Sequence, residues 1–146
     1  MAIKFSWLEE TISTCVVTLL QADAAAGAIV LAEASFRAKV NMLASLVRER
    51  SKERTFNTAG HDPSEMFAEL AGFCFKAEEL RNQLMHSSWE GCPDYHTRSI
   101  VRRKTTAKAR RGLTTQTQVL NGDEIMDIAD FISCVDSYVD EFFIEP

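Results

Sequence analysis

No apolar run in this chain is long enough to span a bilayer. Gln21 and Asp23 interrupt the one stretch that comes near, and a spanning helix needs about 20 consecutive apolar residues. The first residues, Met1-Ala2-Ile3-Lys4-Phe5-Ser6-Trp7, lack the charged, then apolar, then small-residue order of a secretory leader. There is no Cys-x-x-Cys pair. Cys15, Cys74 and Cys134 fall on apolar helical stripes, where cysteine acts as a small buried hydrophobe. Cys92 and His96, with His86 nearby, offer fewer ligands than a zinc site requires. Also missing are an acidic cluster suited to magnesium, a glycine-rich phosphate loop, an internal repeat and a low-complexity tract. These absences predict a cytoplasmic protein with no membrane partner, no metal and no cofactor.

One further absence is local. Between Tyr95 and Gly122 there is no acidic residue, while seven basic ones occur: Arg98, Arg102, Arg103, Lys104, Lys108, Arg110 and Arg111. The net charge of −5 over 146 residues therefore conceals an acidic body, with 21 carboxylates against nine cations, carrying one basic strip. Such a strip is suited to a polyanionic partner, and RNA contact is the expectation for these seven side chains. The bland alternative is a solvated hairpin whose charges protect a sheet edge.

What is present reads as helix. Ser6 with Glu9 is a capping-box pattern and predicts a first helix from about Trp7 to Leu20, burying Leu8, Ile12, Cys15, Val16 and Leu19. Asp23 opens a second, running to about Arg50 with Ile29, Ala32, Phe36, Val40, Leu43 and Val47 on one stripe. Asp62-Pro63-Ser64-Glu65 is a strong start for a third helix reaching His86. Leu120-Asn121-Gly122 introduces a fourth, to about Phe143. Between the third and fourth, residues 96–102 and 112–119 are rich in threonine and β-branched residues and could form two extended segments. The predicted fold is all-α: one domain over residues 1–146, an antiparallel four-helix up-and-down bundle with a basic extended or hairpin insertion at about 95–120.

The third helix carries the most informative pattern. Its apolar register, Phe67, Leu70, Cys74, Ala77 and Leu84, has Arg81 in one slot, and arginine is almost never fully buried without a partner. That slot predicts an ion pair, a subunit interface or an anionic ligand. Arg81 can hold phosphate oxygens, His86 can take and give a proton at physiological pH, and Asn82 can orient either by hydrogen bonding. The structural alternatives are an Arg81–Glu78 ion pair and a histidine that interacts with the helix dipole.

Arg81-Asn82-x-x-x-His86, ending a helix of an all-α bundle, resembles the signature of the HEPN superfamily. Ala34-Ser35-Phe36-Arg37-Ala38-Lys39-Val40 and the Trp89 that follows the histidine are similar to small stand-alone members. The resemblance implies a homodimer and metal-independent endoribonuclease chemistry that leaves 2′,3′-cyclic phosphate ends, as in a toxin or defence effector. Arg81 would then stabilise the phosphate, His86 would act as acid/base or phosphate-orienting group, and Asn82 would support both. Since the family also contains members without catalytic activity, one alternative is a non-catalytic RNA- or nucleotide-binding module partnered with a nucleotidyltransferase or antitoxin. Another, read from the residues alone, is a structural helical adaptor in which Arg81 and His86 serve stability.

Overall fold

The computed structural model describes residues 1–91, 99–108 and 112–144. Five helices occur among them: α1 (Ala2–Leu20), α2 (Ala24–Ala32), α3 (Phe36–Arg50), α4 (Pro63–Met85) and α5 (Gly122–Phe143). Three strands, β1 (Ser88–Gly91), β2 (Ser99–Lys108) and β3 (Gly112–Asn121), form an antiparallel sheet in the order β1-β2-β3. The chain is therefore a mixed α/β protein, and the expected all-α four-helix bundle is corrected in two places.

The first correction is the predicted second helix, which is two. Its Asp23 start stands, with the carboxylate accepting from the N–H groups of Ala25 and Ala26. The helix then stops at Ala32, and Ser35 begins another by accepting from the N–H of Ala38. A serine side chain that satisfies a backbone donor competes with helix continuation and favours a fresh start. The break frees α2 from the stripe of α3, so Ile29, expected in the core, is 75% exposed. What α2 does bury is Leu31 and Gly27, the latter packed against α1 so closely that a Cβ would lie 2.5 Å from Val17 Cγ2.

The second correction is the sheet. The extended insertion is not a lone hairpin, because Ser88–Gly91 supplies a third strand with Trp89 opposite Arg102 and Glu90 opposite Val101. β2 and β3 pair over ten consecutive positions, from Ser99–Asn121 to Lys108–Gly112.

Smaller differences have local causes. α1 begins at Ala2, and Ser6 lies inside it, its hydroxyl donating to the Ala2 carbonyl four residues back. α4 starts where Asp62 and Pro63 predict, the Asp62 carboxylate accepting from the N–H groups of Ser64 and Glu65. α5 starts on a complete capping box between Asn121 and Glu124. Cys134 is exposed rather than buried.

α1 packs on α3 and α5, and α4 on α3 and α5, closing a ring of four helices. Leu8, Ile12, Val16, Val40, Leu43, Val47, Phe67, Cys74, Ile132 and Val139 lie at its centre with no more than a trace of exposure. Removing each large aliphatic side chain from water contributes about 1.5–3 kcal/mol before entropy is counted. The connection after α3 is held by Phe56, which stacks on Phe142 at 5.2 Å, and by the Asn57 N–H donating to the Phe142 carbonyl. Among the described residues no helix is long and apolar enough to cross a membrane.

Burial also settles the character of two thiols. Desolvation pushes Cys15 and Cys74 up to about 12, reinforced at Cys15 by Asp140. Since the thiolate is the reactive form, both will resist alkylation in the native protein at pH 8 while Cys134 is modified. Peptide mapping after a timed iodoacetamide pulse checks this, and rapid labelling of Cys74 would contradict it.

Candidate functional site

The site begins with why Arg81 sits where it does. The buried face of α4 runs through Phe67, Leu70, Ala71, Cys74 and Ala77 and resumes at Leu84, so the helical repeat turns Arg81 towards the bundle. There the guanidinium lies 5.3 Å from the Phe5 ring centroid, a cation–π contact with α1. Its Nη1 donates to Asn82 Oδ1 at 2.8 Å. Its Nε is buried and has no acceptor among the described residues. The Glu78 carboxylate, the obvious local counter-ion, is taken by Arg37 at 3.3 Å, and Arg37 in turn covers the Phe75 ring at 4.4 Å. No ion pair to Arg81 occurs among the described residues. A half-buried cation with an unsatisfied donor is costly, about 1–3 kcal/mol for the donor alone, and such a group is suited to an anion from outside.

His86 closes α4 as its C-cap, with φ −102° and its N–H donating to the Asn82 carbonyl at 3.1 Å. Its side chain is exposed. Next to it the Ser87 hydroxyl donates to the Gln83 carbonyl, which fixes the exit from the helix. Five helical steps separate Arg81 from His86, an advance of roughly 7.5 Å and a turn of about 140°. The fold thus brings Arg81 and Asn82 together, with His86 exposed at the helix end beyond them.

Of the basic strip, Arg98, Arg110 and Arg111 lie outside the described residues, as does the side chain of Lys108. Arg102 faces inward and is only 7% exposed. Its Nη1 donates to Gln118 Oε1 at 3.1 Å and reaches Gln83 Oε1 at 3.5 Å. A guanidinium held in this way fastens the sheet to α4 and does not fit the expected RNA contact. Arg103 pairs with Glu90 across β1 at 2.9 Å and is half-exposed. Lys104 is partly exposed and lies near Glu79. Glu79 itself is held below the usual carboxylate range, first by the Lys76 ammonium at 3.0 Å and then by Gln83 at 2.9 Å.

A polar ladder therefore runs from Lys76 through Glu79, Gln83 and Arg102 to Gln118. Gln83 and Gln118 were not foreseen as structural residues. The signals were present: Gln83 lies four residues after Glu79 on one helix, and Gln118 shares the sheet face of the buried Leu120. Trp89 adds a second fastening, its indole N–H donating to the Leu84 carbonyl at 3.1 Å.

A cleft of about 540 Å³ lies along the first half of α4 between Met66, Leu70, Phe73, Tyr138 and Phe142. Its lining is mainly apolar, and it contains none of Arg81, Asn82 and His86. Among the described residues no three His, Cys, Asp or Glu side chains converge as metal ligands; Cys92 and His96 fall outside them.

Comparison of the chain with protein-family models, with curated proteins and with solved structures finds no match.

Proposed function

We propose that the protein is a metal-independent endoribonuclease that works as a homodimer, the α4 ends of two subunits meeting around one phosphodiester. The observation that carries this reading is the state of Arg81: half-buried, steered by Asn82 and, among the described residues, without a carboxylate and with Nε unmatched. In such a site the ribose 2′-oxygen attacks the adjacent phosphorus while its proton passes to a His86 imidazole. Arg81 stabilises the charge that builds on the non-bridging oxygens. The bond to the 5′-oxygen breaks as that oxygen takes a proton from the imidazolium of His86 of the partner subunit. The products are a 2′,3′-cyclic phosphate and a 5′-hydroxyl. A cytoplasmic toxin or defence effector is the setting this chemistry suits.

The contrast between a half-buried Arg81 and an exposed His86 at the helix end favours a second reading. Without apposition of two copies the same residues bind RNA or a nucleotide and do not cut, as a module serving a nucleotidyltransferase or antitoxin partner.

Incubation of purified protein with mixed RNA in excess EDTA separates the two. The nuclease produces cyclic-phosphate ends, and His86→Ala slows cleavage by about 10²–10⁴-fold, the usual contribution of a positioned acid/base. Salt-sensitive binding with intact RNA selects the module. Undiminished cleavage by His86→Ala removes the site altogether.

A further inference from the structure

The two outer strands of the sheet are treated in opposite ways. β1 has four residues and carries Glu90 in an ion pair with Arg103. β3 has ten, Gly112-Leu113-Thr114-Thr115-Gln116-Thr117-Gln118-Val119-Leu120-Asn121, all exposed but Leu120. It contains no charge and no proline, and its ten consecutive pairings with β2 leave no bulge. Natural edge strands are normally blunted by charge, proline, a bulge, shortness or a covering element. Among the described residues β3 has none of these, although the strand beside it holds Arg102, Arg103 and Lys104.

We infer that β3 is a dimerisation strand, pairing antiparallel with β3 of a second copy about a two-fold axis at Gln116, so that two three-stranded sheets become one of six. The occupant is argued from composition and register. On a two-fold axis every charge on the strand would approach its own copy, and β3 is the strand without any. An axis at Gln116 sets Thr115 against Thr117 of the partner subunit and Leu113 against Val119 of the partner subunit. Leu113 and Val119 are also the two large apolar side chains that β3 leaves in water, 75% and 60% exposed. They lie on one sheet face with Thr115 and Thr117 between them, because residues two apart share a face. The pairing covers both at once, near the two ends of a nine-residue overlap. A polyanion would find its counter-charges on β2 instead. Because β1 follows α4 directly and is the far strand of the sheet, this six-stranded sheet holds the two α4 ends about 24 Å or more apart. The β3 contact is therefore a different one from the apposition of α4 ends that the nuclease reading needs, and its test needs no RNA.

Light scattering at tens to hundreds of micromolar will give twice the 16.4 kDa monomer mass. Gln116→Cys places two thiols on the axis, where facing Cα atoms in an antiparallel pair are about 4.5–5.5 Å apart, within reach of a disulfide. Mild oxidation will then yield a covalent dimer that wild type does not form. Neither Leu113→Cys nor Val119→Cys will cross-link alone, but their mixture will. The pair Thr115→Glu/Thr117→Glu gathers four carboxylates across the axis and will raise the dissociation constant by an order of magnitude or more. Circular dichroism checks that these variants stay folded. A monomeric wild type overturns the inference. So does a dimer indifferent to the glutamates, or one in which Gln116→Cys fails to cross-link.

Discussion

Replacing Phe67 with alanine is expected to destabilise the protein by about 3–5 kcal/mol, the range for emptying a buried aromatic site. Phe67 is fully buried and meets Phe142 at 5.3 Å and Phe143 at 6.0 Å, while Phe56 stacks on the far side of the same cluster. The ring thus joins α4, α5 and the connection after α3. Its loss leaves a cavity that three elements must close together, which places the effect at the upper end of the range. Urea denaturation should show a much lower midpoint with an unchanged slope, and Tm should fall by roughly 10 °C or more. Phe73, on the same helix, is half-exposed and meets the Phe131 ring at an edge, 6.5 Å away. Phe73→Ala should cost about 1 kcal/mol or less. Equal costs at the two positions would show that the core is not where the fold places it.

The second large effect separates stability from activity. Arg81→Ala removes one hydrogen bond to Asn82 and a cation–π contact with Phe5, but it also removes a buried donor that lacks an acceptor among the described residues. These contributions oppose one another, so the net change in unfolding free energy should stay within about 1 kcal/mol. A guanidinium engaged in a buried ion pair would behave differently, with about 3–5 kcal/mol lost on truncation. RNA cleavage, by contrast, should fall by about 10²–10³-fold, the cost of deleting one donor to a developing oxyanion. A variant that unfolds readily and retains its share of activity would return Arg81 to a structural role.

The parts of the fold legible in the sequence are those written in short local signals. Asp62-Pro63 starts α4 and Asn121 with Glu124 starts α5, because a helix start needs only a few side chains to satisfy its free N–H groups. The break at Ser35 was hidden because it interrupts an unbroken apolar stripe without a glycine or proline, and a capping serine looks like any surface serine until the chain folds. β1 was hidden for a different reason: four residues are too few to show an alternation, and their pairing is decided by a strand about ten positions away. In the candidate site, the inward turn of Arg81 followed from helical period alone. Counter-ion choice did not, since Glu78 is as close to Arg81 in sequence as a partner can be, yet it pairs with Arg37 from another helix. Arg102 shows the same limit. Counting charge along a strand assigns it to a partner, whereas only the pleat reveals that it points inward.

Asn121 has a mechanical consequence. It is the last residue of β3 and at once the cap of α5, accepting from the Glu124 N–H at 2.8 Å while its own N–H donates to Glu124 Oε2 at 2.7 Å. There is no slack between ribbon and helix. A load applied along β3, by whatever grips it, passes as torque into α5 and so into the centre of the bundle. The projecting ribbon works as a lever with its fulcrum at a two-residue clasp, and loosening that clasp would uncouple tip from body while leaving both intact.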